Sequence, residues 1–274
     1  MKGQVTMLRM MRCASVVMVL AVILIACSTV PITGRKQLSL IPASEMLSMS
    51  YQEYGEVLKT SKLSTNTQQT AMIKNVGAKI QKAVETYFAQ KGLSESLANY
   101  KWEFNLVESE DVNAWCMPGG KVVFYTGILP ITKTEAGVAV VMGHEVAHAI
   151  AEHGNERMSQ QLLAQLGGAA LSEALSKQPE ATKNLWATVY GLGAQVGVLL
   201  PFSRTQESEA DHLGLVFMAM AGYNPNEAVS FWERMAAVKG GQSPPEFLST
   251  HPSDASRIAE LKALIPEAMP YYKP

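Results

Sequence analysis

Val141-Met142-Gly143-His144-Glu145-Val146-Ala147-His148 is the stretch on which the reading of this chain turns. Apolar residues run through it and beyond it, from Val140 to Ala149 and Ile150, so it reads as a buried helix. Two imidazoles four residues apart on a helix share one face about a turn apart, where both can bind one zinc ion. Buried imidazoles need partners, which weighs against two incidental surface histidines. Glu145 sits beside the first ring and can reach a water on that zinc without itself coordinating. It is placed to take the water's proton as general base and to return it to a leaving amine.

A third ligand has to come from elsewhere. The long metzincin pattern would need Gly at 151 and His at 154, where this chain has Ala151 and Gly154. Arg204-Thr205-Gln206-Glu207-Ser208-Glu209-Ala210-Asp211-His212-Leu213-Gly214 reads as a later helix with Glu207 and Asp211 on one face. Glu207 can complete the zinc site while Asp211 orients a ligand ring through its free N–H. Glu209 falls on another face and reads as a solvated or salt-bridged carboxylate, and His153 and His212 read as ordinary histidines.

These segments together resemble the gluzincin family of the CAAX prenyl protease, the heat-shock protease HtpX and the mitochondrial quality-control metallopeptidase. The family's HExxH and ExxAD patterns fall on His144, Glu145, His148, Glu207 and Asp211, and the resemblance runs from about residue 65 to 265. The segments TGRKQLSLIP and NAWCMPGGKVVFYTGIL are similar to its periplasmic lipoprotein branch. The resemblance implies a zincin-like core and one zinc per chain. It also implies a role for His251, as donor to the developing oxyanion or as a fourth ligand capping the metal at rest, with Arg257 supporting that site. Asn113, Ala114 and Trp115 resemble the edge strand on which gluzincins lay an extended substrate, while a plain hairpin about Gly119 and Gly120 is the alternative.

Outward from the motifs, 47% hydrophobic and 17% charged residues in 274 allow a sizeable core. A net charge of −1 without a basic block excludes a nucleic-acid partner. Lys2, Arg9 and Arg12 precede an apolar run from Ala14 to Ala26, too short to span a bilayer and shaped like a signal peptide over residues 1–26. The run ends Leu24-Ile25-Ala26-Cys27, similar to a lipobox, which makes Cys27 the expected lipid anchor to the membrane. Ser28 in place of Asp suggests the periplasmic side of the outer membrane. Cys116 then has no partner and reads as a small buried apolar residue.

Residues 27–43 read as a tether and 44–274 as the peptidase domain. Ser44–Leu58 and Thr65–Lys91 have helical periodicity. Trp102–Val107, Val112–Met117 and Lys121–Gly127 suggest a small antiparallel sheet, and the chain is helical from Lys133 on. The class is α+β, mainly helical. Val189–Leu200 reads as a buried helix or a flap over the cleft. The function expected is a zinc endopeptidase acting on misfolded or misassembled cell-envelope proteins. The alternatives are a protease-quiet chaperone or assembly factor using the same cleft, and a structural zinc, which needs four protein ligands and no open position.

Overall fold

The structure is a computed structural model and describes residues 27–30, 33–162, 202–238, 246–251 and 255–273. Residues 1–26, with the expected signal peptide, and the Val189–Leu200 stretch lie outside them.

Two long helices follow a short N-terminal hairpin. Ala43–Thr60 is α1, and Thr67–Gln90 is α2, capped by the Asn66 side chain accepting from Gln69 N. Ile73, Val76, Ile80, Val84 and Phe88 of α2 recur at three- and four-residue spacing and form one buried stripe. The sheet follows as β3 (Glu103–Val107), β4 (Ala114–Met117) and β5 (Lys121–Tyr125), in the order β3-β5-β4. β4 and β5 form the expected antiparallel hairpin, turning through Gly119 and Gly120, both at positive φ. β3 pairs parallel with β5, so the sheet is mixed. Alternation of apolar residues is the same for either polarity, which is why the sequence did not distinguish them.

After a single helical turn, α3 (Leu129–Thr132), Thr134 caps α4 (Glu135–Ile150), accepting from Gly137 N through its side chain. This is the motif helix, and it is buried from Gly137 to Ile150, as its apolar sequence requires. Residues 151 and 152 break it, with Glu152 at φ 57°, and residues 153–162 continue as α5. α6 (Arg204–Met220) starts at a Ser203–Gln206 capping box. α7 (Glu227–Val238), α8 (Glu246–Thr250) and α9 (Ala255–Ala268) close the far side, with Trp232, Phe231 and Phe247 buried between them and the core.

One backbone contact positions everything that follows. α4 and α6 cross at Gly143 and Gly214, where a Cβ on Gly214 would lie 2.9 Å from His144 N and one on Gly143 would lie 2.8 Å from Gly214 O. Only glycine at both positions lets the two motif helices approach this closely.

The stretch read as a tether is folded. Cys27–Thr29 (β1) and Lys36–Leu38 (β2) form an antiparallel pair, and Val30 joins the main core. Gln37 Nε2 donates to Ala151 O at 2.9 Å, Leu40 N to Ser159 Oγ at 2.9 Å, and Asn155 Nδ2 to Ile41 O at 2.8 Å. This N-terminal hairpin is thus strapped to the start of α5. Among the described residues, no helix is long and apolar enough to cross a membrane.

Candidate metal centre

His144 and His148 leave α4 on the face turned toward α6, and their Nε2 atoms are 3.0 Å apart. Glu207, in the first turn of α6, puts Oε1 3.4 Å from His148 Nε2 and Oε2 3.6 Å from His144 Nε2. His251, after α8, brings Nδ1 to 2.9 Å from Glu207 Oε1 and 3.1 Å from His144 Nε2. One donor atom from each of the four lies within 4.8 Å of the others. All four residues, and Glu145, are between 3% and 6% exposed.

Burial pushes the His144 and His148 pKa values down, so both rings are neutral with a lone pair for a metal. Burial would raise the Glu207 carboxyl, but the neighbouring His251 ring and the Arg257 guanidinium hold it well below the usual range. Three imidazoles and one ionised carboxylate, nitrogen and oxygen donors converging from four directions, are a donor set that fits zinc. Among the described residues, Glu145 Oε1 has no hydrogen-bond partner; it is buried, 3.4 Å from His251 Nε2. Burial pushes its carboxyl up to about 7, with His251 opposing and Glu207 adding to the rise.

Asp211 lies where its spacing from Glu207 placed it, with Oδ1 2.9 Å from His144 Nδ1. Arg257 clamps it with Nε at 2.8 Å and Nη2 at 2.7 Å, gives Nη1 to Glu207 Oε2 at 2.5 Å, and stacks 3.6 Å over the Trp232 ring. Phe202 stacks on His148 with ring centroids 3.9 Å apart, and Phe247 stacks on His251 at 4.6 Å. The aromatic rings wall the polar cluster.

Donors with this geometry, on helices carrying these two motifs, are what a zinc peptidase requires, and the profile of peptidase family M48 matches residues 74–265. The chain belongs to peptidase family M48. Zinc is the metal of these peptidases, and the four-residue cluster is where this chain can hold it. The chain is 36% identical over 193 residues to the mitochondrial metalloendopeptidase OMA1 of Schizosaccharomyces pombe, covering 69% of this chain and 53% of that one. It is 32% identical over 250 residues to mitochondrial OMA1 of Bos taurus, covering 87% and 46%. The beta-barrel assembly-enhancing protease of Yersinia pestis is 30% identical over 165 residues, covering 59% and 34%. The chain spans about half the length of the curated relatives it matches over most of its own length.

Location is corrected by these matches. The relatives that cover most of this M48 chain are mitochondrial by name, which overturns the expected lipid-anchored position on the periplasmic side of the outer membrane. Cys27 itself opens β1, opposite Leu38.

Other residues fall as follows. Ala114 and Trp115 lie on β4, at the edge of the sheet, with Asn113 just before it. Phe247 N donates to Val112 O at 3.1 Å, so the segment carrying His251 abuts the start of that edge. Cys116 is buried and free. His212 is half-buried and faces Glu267 at 3.3 Å.

His153, read as ordinary, abuts the cluster, and Glu209 is salt-bridged, one of its two expected states, but buried. His153 is fully buried, with Nδ1 2.9 Å from His148 Nδ1, and Glu209 is buried with Oε2 2.9 Å from His153 Nε2. Glu209 does point off the Glu207 face, as its spacing requires, but that face is covered by the hairpin instead of by water. Burial would raise its carboxyl, and hydrogen bonds from His153, Thr33 and Arg35 bring it to about 2. The one signal in sequence was a third histidine five residues after the second.

Proposed function

We propose that this chain is a zinc endopeptidase in which His144, His148 and Glu207 hold the ion and Glu145 is the general base. The observation that carries the reading is the buried convergence of those three side chains beside a carboxylate oxygen that has no hydrogen-bond partner. When bound, zinc supplies Lewis-acid activation of the attacking water and of the scissile carbonyl. Glu145 takes the water's proton at Oε1 and passes it to the leaving amine nitrogen. His251 fills the fourth donor position at rest, and with its ring turned off the cluster it donates to the developing oxyanion. Asp211 fixes the His144 ring, and Arg257 fixes both Asp211 and Glu207.

Substrate backbone is proposed to add beside Asn113, Ala114 and Trp115 as a further strand. Main-chain pairing accepts any extended peptide, which favours unfolded segments over native domains. Misfolded or misassembled proteins are the proposed substrates; the Yersinia relative is a beta-barrel assembly-enhancing protease. Residues 44–274 are the proposed peptidase domain, with the N-terminal hairpin packed onto it.

The test is cleavage of casein by the purified, zinc-loaded chain beside Glu145→Gln. Cleavage by the wild type, lost in the variant with zinc retained, is the expected result. Equal cleavage by both ends the peptidase reading.

A further inference from the structure

We propose that Arg35, Glu209 and His153 form a positioning relay that holds the ring of His148, making the N-terminal hairpin a working part of the metal centre. The proposal rests on the zinc reading of the cluster.

The tautomers of the two facing rings are linked. Facing ring nitrogens 2.9 Å apart, as in His148 Nδ1 and His153 Nδ1, need one hydrogen between them. Glu209 decides which ring carries it. Its Oε2 lies 2.8 Å from Arg35 Nε and 2.9 Å from His153 Nε2, and Thr33 Oγ1 donates to its Oε1, so the carboxylate accepts throughout. His153 therefore donates Nε2–H to Glu209 and keeps a bare Nδ1, which accepts Nδ1–H from His148. That leaves the Nε2 lone pair of His148 facing Glu207 and His144, where an ion must sit. Without the acceptor, the neutral His148 ring is free to carry its hydrogen on the wrong nitrogen.

The other ligand is held by the same logic in a shorter form. His144 Nδ1 meets Asp211, and Asp211 is clamped by Arg257. Each metal-facing ring is thus backed by an acceptor and, behind it, by an arginine. For His148 the arginine comes from outside residues 74–265, the segment that carries the family match. Arg35 also gives Nη1 and Nη2 to the two oxygens of Glu156 at 2.8 and 2.9 Å, and Gln206 Nε2 donates to Glu156 Oε2 at 2.7 Å. One partly exposed guanidinium therefore pairs with two buried carboxylates and ties the turn before β2, α5 and α6 together around the relay.

The test uses the full chain as wild type, Arg35→Met, Arg35→Lys and His153→Phe, each as folded apoprotein. Zinc affinity is measured by competition with a chromophoric chelator, and ligand geometry by the visible spectrum of the cobalt(II) form. The relay predicts about 10–100-fold weaker zinc binding in Arg35→Met and His153→Phe, partial recovery in Arg35→Lys, and an altered cobalt band in His153→Phe. A merely structural hairpin would lower the melting temperature and leave affinity and spectrum alone. Folded Arg35→Met and His153→Phe that bind zinc within about twofold of wild type, with the wild-type cobalt spectrum, overturn the relay. A wild-type chain that takes up no zinc overturns the metal reading itself, and the relay with it.

Discussion

Gly214→Ala sets two physical effects against each other with opposite signs. Inside a helix, alanine is favoured over glycine by about 0.8–1 kcal/mol, so on propensity alone the variant is more stable. The crossing with α4 reverses this. The new Cβ meets His144 N at 2.9 Å, Gly143 C at 3.0 Å and His144 Cα at 3.1 Å, against about 3.4 Å for ordinary contact. All three are backbone atoms in a buried helix, so no side chain can swing aside and the helices must part by about 0.5 Å. Overpacking of this kind costs about 1–3 kcal/mol, which leaves a net loss of up to about 2 kcal/mol after the propensity gain. For a domain of this size that lowers the melting temperature by up to about 8 °C. Because Glu207 rides on α6 and both imidazoles ride on α4, the same displacement should weaken zinc about tenfold. Thermal unfolding of the apo chain and zinc competition measure the two effects separately. Gly55→Ala in α1 is the control, since nothing lies within 4 Å of its Cβ, and it should gain about 0.5–1 kcal/mol. A Gly214→Ala protein that melts at or above the wild type with unchanged zinc affinity would refute the close-crossing argument.

Three further outcomes are expected. Glu145→Gln should lower kcat for peptide hydrolysis by at least about a hundredfold while zinc content stays at one per chain, checked by activity and metal analysis on one preparation. Arg257→Ala leaves the carboxylates of Asp211 and Glu207 buried without their cation and should cost about 3–5 kcal/mol in denaturant unfolding; a loss under about 1 kcal/mol would contradict the clamp. Chelation should remove activity and about 4 kcal/mol of stability relative to zinc at a thousand times its Kd, leaving the apo chain folded by far-ultraviolet circular dichroism, whereas unfolding on chelation would mark the metal as structural.

How much of the site was legible follows from how its residues are linked. His144 with His148, and Glu207 with Asp211, are pairs within one helix, where spacing in sequence is converted to distance by a fixed geometry. That conversion fails at Glu152, whose positive φ breaks the helical phase and turns His153 back beneath His148, a place that continuous helix would not give it. It fails again for Arg35, which reaches partners 121 and 174 residues away and whose neighbours have the Pro and Gly content of a linker. Glu209, expected as a solvated or salt-bridged surface carboxylate, is salt-bridged to Arg35 but buried, because the neighbouring face of α6 is itself covered. The crossing of the motif helices was, by contrast, open to reading. Glycine inside a helix costs about 1 kcal/mol against alanine. Gly143 sits beside His144 in an otherwise apolar helix and Gly214 three residues after Asp211, each a penalty that local structure does not need. A cost accepted next to the ligands on both motif helices is explained when the two backbones must touch there. The same touch sets the distance between the imidazole pair and the carboxylate, and hence which ion they can share.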